Sequence, residues 1–248
     1  MAGRPYPNPP IQEALVVFQF QPVEQGGWNW TVPGRLWMHM NEVYDGEPRS
    51  EHVVTVNAQQ QARQMAAAAA GGVGRVFLTR KDQSGLVGIA PNQLSVHVLR
   101  PYPGWKEFRP RIERVLSEYP EVHADALVSR VGLRYVNRID IPAGNIEMSQ
   151  WFTASPGLPP GLEQTMAGLM SKVDTVFDDG ARMSITLAAV PSADESVASF
   201  LLDLDMHMAL GEPVPLDADL RGRIDALHAR EGDAFEAMIT DETRGLFQ

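Results

Sequence analysis

The chain has 248 residues, no cysteine and a formal net charge of −10. The missing cysteines exclude disulfides, thiolate zinc sites and cysteine nucleophiles, and the negative charge argues against a general affinity for nucleic acid or anionic membrane. Hydrophobic residues make up 44% and charged residues 21%, as in soluble globular chains long enough to bury a sizeable core.

The first ten residues, MAGRPYPNPP, carry four prolines and read as an extended arm. They have no apolar segment of the signal-peptide kind. No stretch reaches the roughly 20 apolar residues of a membrane helix, so a cytoplasmic, non-membrane protein is expected. Glu13–Phe20 (EALVVFQF) reads as a strand. After Gly26-Gly27, Thr31 is placed to cap a helix with the stripe Leu36, Trp37, Met40, Val43 and Tyr44. His52–Val56 suits a short strand. Gln59–Ala70 (QQQARQMAAAAA) predicts a helix on intrinsic propensity, and a flexible Ala/Gly loop is the alternative. The following Gly-Gly-Val-Gly is not a phosphate-binding loop, since the Gly-Lys-Ser/Thr ending is missing.

Arg75–Arg80 and Leu86–Ala90 predict a hairpin, and Gln93–Leu99 a third strand. A helix follows from Trp105 to about Glu118, closed by Tyr119-Pro120. Asp125–Pro142 alternates along its length. Leu127, Val131, Leu133, Tyr135, Ile139 and Ile141 fall on one face; Val128, Arg130, Gly132, Arg134, Val136, Arg138 and Asp140 fall on the other. Residues 143–160 form a Pro/Gly-rich connector. Leu162–Phe177 suits helix at its start and strand at its end, and Asp178-Asp179-Gly180 is a hairpin turn. Arg182–Val190 and Val197–Met208 are strands, Leu216–Arg230 is an amphipathic helix, and the tail to Phe247 docks on the body.

The expected fold is α+β: a large, mainly antiparallel sheet built from two β-β-β-α-like halves, with helices packed on one face. One domain spans residues 1–248, with possible halves 11–142 and 161–248 joined by the connector.

Several segments together resemble an uncharacterised, sporadically distributed bacterial protein family of about 250 residues. They are PNPPIQEALVVFQF, NQLSVHVLRPYPGWKEFRPRIERVL, VSRVGLRYVNRIDIP and LHAREGDAFEAMITDETRGLF. The match rests on the order and spacing of Tyr102, Pro103 and Trp105, then Arg134, Tyr135, Asn137 and Arg138, then His228, Phe235, Ile239 and Thr240. The resemblance implies a full-length domain and carries no activity, cofactor or catalytic residue.

Arg130, Arg134 and Arg138 recur at every fourth position of the long strand. Guanidinium forks suit phosphate or carboxylate, so these three, with Asn137 and Arg109, are candidates for an anion site, with Tyr102 and Trp105 near by. The competing reading pairs them across the sheet with Asp203, Asp205 and His207, which share the polar face of the strand at 197–208. Asp203, Asp205 and His207 with His97 are also weighed as a metal or acid–base group, against their wide spacing; no metal and no cofactor are expected. His228 is expected to cap or pack. Trp37, Met38 and Met40 suit the core, while Trp28 and Trp30 suit exposure for a partner. Ser95, Ser129 and Ser184 have no local support as nucleophiles. The leading expectation is a non-enzymatic binding or regulatory protein with a protein partner, in an accessory or toxin–antitoxin-like locus. An RNA- or nucleotide-binding protein using the arginine face is the alternative, and a hydrolase at that face is the third.

Overall fold

The computed structural model describes residues 4–21, 28–61, 64–144, 146–157, 168–217 and 219–248, with 53–61, 64–73 and 219 described by backbone alone. The strands are β1 (Ile11–Phe20), β2 (Arg49–Gln61), β3 (Gln64–Thr79), β4 (Gly85–Ala90), β5 (Gln93–Leu99), β6 (Leu127–Pro142), β7 (Met170–Val176), β8 (Arg182–Val190) and β9 (Val197–Pro215). The helices are α1 (Thr31–Met40), α2 (Trp105–Val122), α3 (Met148–Trp151), α4 (Asp219–Met238) and α5 (Asp241–Gly245). All nine strands join one sheet in the order β2-β3-β4-β5-β1-β6-β9-β8-β7. Every pairing in it is antiparallel.

Alternation explains how the sheet meets its helices. Ala14, Val16 and Phe18 of β1, Val131, Leu133 and Tyr135 of β6, and Leu202, Leu204 and Met206 of β9 are all buried. These residues share one face, which α1, α2 and α4 cover with Leu36, Phe108, Ile112, Val115, Leu220, Ile224 and Leu227, while Leu202 and Leu204 belong to the adjoining cluster described next. A second cluster, with Ile139, Ile141, Phe200, Phe152, Phe235, Ile239 and Phe247, continues the same layer under α3 and α5. Phe247 and Ile239 are buried there, so the tail docks as expected. The opposite face carries no helix among the described residues.

Five features depart from the sequence reading. Residues 59–70, expected as a helix, lie in the β2–β3 ribbon apart from 62–63, which fall outside the described residues. Propensity differences among these residues are tenths of a kcal/mol each. β-branched Thr55 and Val56 of β2 face Ala70 and Ala69, and antiparallel pairing that continues from there to Gln61↔Gln64 overrides them. Second, α2 runs through Pro120 to Val122, because burial of Tyr119 and Val122 holds the last turn. Arg35 of α1 finishes that end by donating to Val122 O at 3.1 Å and Glu121 O at 3.2 Å.

Third, Asn29, not Thr31, serves the start of α1: Thr31 N donates to Asn29 Oδ1 at 2.9 Å. Fourth, Leu127 is exposed and Val128 is fully buried, the reverse of strict alternation. The register shifts between Val128 and Arg130, and between Gln19 and Phe20, so a bulge at Ser129 exchanges the faces below it. Fifth, β9 extends beyond Met208 to Pro215 by pairing with Leu127 and Val128, and α4 extends past Arg230 to Met238. The Asp178-Asp179-Gly180 turn forms with Gly180 at φ +81°, where a side chain would be strained.

Candidate functional site

The arginine row stands on the bare face, at even positions of β6. Arg134 is held in a two-pronged pair by Asp203 of β9, Nε to Oδ1 at 2.8 Å and Nη2 to Oδ2 at 2.7 Å. This pairing raises the Arg134 pKa, with burial opposing it. Arg138 donates to Asp140 at 3.0 Å and to the Ser199 hydroxyl at 2.7 Å, and Ser199 in turn donates to Asp140 at 2.5 Å. Arg130 is exposed and makes no ion pair among the described residues. Half-buried Leu15, Val17, Val136 and Leu201 lie between these charges on the same face.

Asp205 and His207 share this face but form no ion pair among the described residues. Burial raises the Asp205 pKa, Arg134 opposes the rise and Asp203 adds to it. Burial and the Arg130 charge lower that of His207. Among the described residues no three of His, Asp and Glu converge as metal ligands. His97 lies elsewhere on the face. Its Nδ1 is 2.7 Å from Glu13 Oε1, and its Nε2 is 2.8 Å from the Ser95 hydroxyl. The His97 contact holds the Glu13 carboxyl below its ordinary range. Phe77 leans across Gly88 onto His97, where a Cβ on residue 88 would stand 2.9 Å from the Phe77 ring.

Two members of the expected anion group are not in the row. Asn137 occupies an odd position of β6, so its side chain is buried on the covered face and donates to Leu202 O at 3.1 Å. Arg109 projects from α2 and ties it to α4 through Asp225, at 2.9 Å from both Nε and Nη2, and also bonds Glu113. The recess beside it, between α2 and α4, has about 10 Å³ of free volume, room for at most one water. Trp37 and Met38, expected in the core, are exposed on the outer side of α1, and Trp30 is exposed as well.

The covered face holds a second constellation. Tyr102 OH and Tyr135 OH are 3.0 Å apart, and Tyr135 OH is 3.2 Å from His228 Nδ1. Trp105 stacks on the His228 ring at 4.0 Å and 18°. Glu231, one turn further along α4, is buried. Burial pushes its carboxyl up to about 8 and lowers His228 to about 4, with Asp225 opposing the latter. Both tyrosines are raised by burial. At neutral pH the group is therefore two phenols, an uncharged imidazole and a largely protonated acid. Tyr135 OH joins Tyr102 and His228 by hydrogen bonds, and the Trp105 ring closes over one side of His228.

Tyr102, Trp105, Tyr135 and His228 come from three separate sequence segments, and the fold gathers them at one point. Glu231 was not singled out by any sequence signal; its place three residues after His228, on the same helix face, is the feature that points to it. The chain matches no protein-family model and no curated protein.

Proposed function

We propose that this is a binding or regulatory protein that meets a protein partner on its bare sheet face. One observation carries the reading. The central arginine, Arg134, is already engaged at both ends of its fork by Asp203, and half-buried apolar side chains surround the pair. A phosphate ligand would have to displace that carboxylate. A protein surface can cover the neutral pair and bury Leu15, Val17, Val136 and Leu201 together.

A photo-crosslinking residue at Leu201 is expected to capture a partner that the same residue at exposed Ala226 of α4 does not. The partner, purified, binds the wild-type chain and binds Leu201→Glu at least ten-fold more weakly. Equal capture from both positions, or unchanged binding to Leu201→Glu, would sink the reading.

The exposed, unpaired Arg130 favours a second reading, in which the face takes an anionic strand such as RNA. That reading requires binding of single-stranded RNA at low salt, lost in Arg130→Ala and weakened steeply by added salt.

A further inference from the structure

Among the described residues β7 is the last strand of the sheet, paired with β8 on one side only. Its sequence is Met170-Ser171-Lys172-Val173-Asp174-Thr175-Val176, and Met170, Val173 and Val176 are 79%, 56% and 59% exposed. Exposed apolar edge strands invite pairing with another chain. The segment is chemically symmetric about Val173. Running it antiparallel against itself places Met170 opposite Val176, Ser171 opposite Thr175, and Lys172 opposite Asp174.

The backbone supports the same register. The β7–β8 ladder is closed by Ala189 N to Leu169 O at 2.9 Å and by Phe177 N to Ala181 O at 2.8 Å. Odd residues therefore bond inward to β8. By the alternation of an antiparallel ladder, the N–H and C=O groups of Met170, Lys172, Asp174 and Val176 aim at the free edge. In the register centred on Val173, these even positions meet even positions of the second strand. The outward donors and acceptors are thus in step with the side-chain match. Lys172 and Asp174 lie on one face, 3.5 Å apart within the chain and largely exposed. In the paired register each also faces its opposite charge across the two strands.

We propose that β7 pairs with β7 of a second copy of this chain, antiparallel about a two-fold axis through Val173. The interface is isologous. It joins two nine-stranded sheets into one continuous sheet, with both bare faces on the same side. This inference does not depend on what that face binds.

Sedimentation of the full chain tests it. The wild-type chain is expected to reach twice its 27.3 kDa mass as concentration rises. Lys172→Asp and Asp174→Lys each put like charges opposite one another twice, and each lowers association at least ten-fold. The double variant Lys172→Asp/Asp174→Lys restores it. Circular dichroism confirms the fold of each variant. The absence of native cysteine permits an independent check. Val173→Cys places two thiols across the axis in a close, non-hydrogen-bonded pair, with Cα atoms about 4.5 Å apart. It forms a disulfide-linked dimer on mild oxidation, whereas Met170→Cys, distant from its own copy in this register, does not. A wild-type chain monomeric at its highest soluble concentration, a dimer indifferent to both single swaps, a double variant that stays monomeric, or equal cross-linking at 170 and 173 would each overturn the proposal.

Discussion

Arg134 and Tyr135 are neighbours on β6, yet they serve opposite surfaces. Arg134 belongs to the bare face, where Asp203 neutralises it in partial contact with water. Tyr135 belongs to the covered face, where it links Tyr102 and His228 and Glu231 is buried as well. The arginine row is conspicuous in the sequence and light in energy, because exposed ion pairs are screened and contribute about 0–1 kcal/mol. The covered cluster is inconspicuous in the sequence and heavy in energy, because a buried acid must keep its proton or carry the cost of a charge without water.

The largest effect expected from this contrast is the response of stability to pH. Glu231 is raised in the folded state from its ordinary 4.5 to about 8. Its favourable share is therefore complete below pH 4.5 and is lost as pH climbs towards 8. His228 is lowered from 6.5 to about 4, so its share is complete above pH 6.5 and is lost as pH falls. The two oppose one another between pH 4.5 and 6.5, and Glu231 acts alone from pH 6.5 to 8. Denaturant titrations are expected to show nearly flat stability in the lower window and a decline in the upper one. Glu231→Gln removes the decline and is more stable than wild type at pH 8 by roughly 3–4 kcal/mol. A wild-type curve that stays flat from pH 6.5 to 8 would contradict a buried, protonated Glu231.

Next in size is Tyr135→Phe, which strips the hydroxyl shared by Tyr102 and His228 without creating a large cavity. A loss of about 1–2 kcal/mol is expected, measured by the shift in denaturant midpoint at constant slope. Smallest are the changes on the bare face. Asp203→Asn is expected to cost no more than about 1 kcal/mol, and less as salt is added. Arg130→Ala is expected to fall within about 0.5 kcal/mol of wild type. A cost for Asp203→Asn exceeding that of Tyr135→Phe would reverse the ranking of the two faces.

Much of the fold was legible wherever one physical term dominated. The alternations in β6 from Val131 onward and in the first part of β9 are read directly, because one face is buried there and each residue's side is fixed by parity. Helix α2 was readable from Phe108, Ile112, Val115 and Tyr119, its buried stripe. The β2–β3 ribbon was not, because Ala and Gln favour helix locally and the partner strand that overrides them is a tertiary fact. The bulge at Ser129 has no signature in a Val-Ser-Arg step. The candidate site was half legible: Arg134 and Asp203 share a face as parity requires. Asn137 was grouped with the arginines by nearness in sequence, although its odd position sends it to the other side, and Arg109 was grouped with them by charge alone. Glu231 carries no such signal, because the amphipathic pattern reads only to Arg230 and an acidic residue ordinarily marks a solvated face, while its burial is a tertiary fact.

The central place of β1 bears on how the chain assembles. Leu15 pairs with His97 on one side and with Arg134 on the other, so β1 has no neighbour until distant segments exist. The β4–β5 hairpin closes through a tight loop, and high sequence separation makes the β1 pairings slow by comparison. During that interval the segment Ala14–Phe20, nearly all apolar, is an unpaired strand open to other copies of itself. Pulse-labelled hydrogen exchange is expected to protect β4 and β5 amides before those of β1. The same late closure makes β1 the keystone of the molecule: it is the element that joins β5 to β6, and with them the two sides of the sheet.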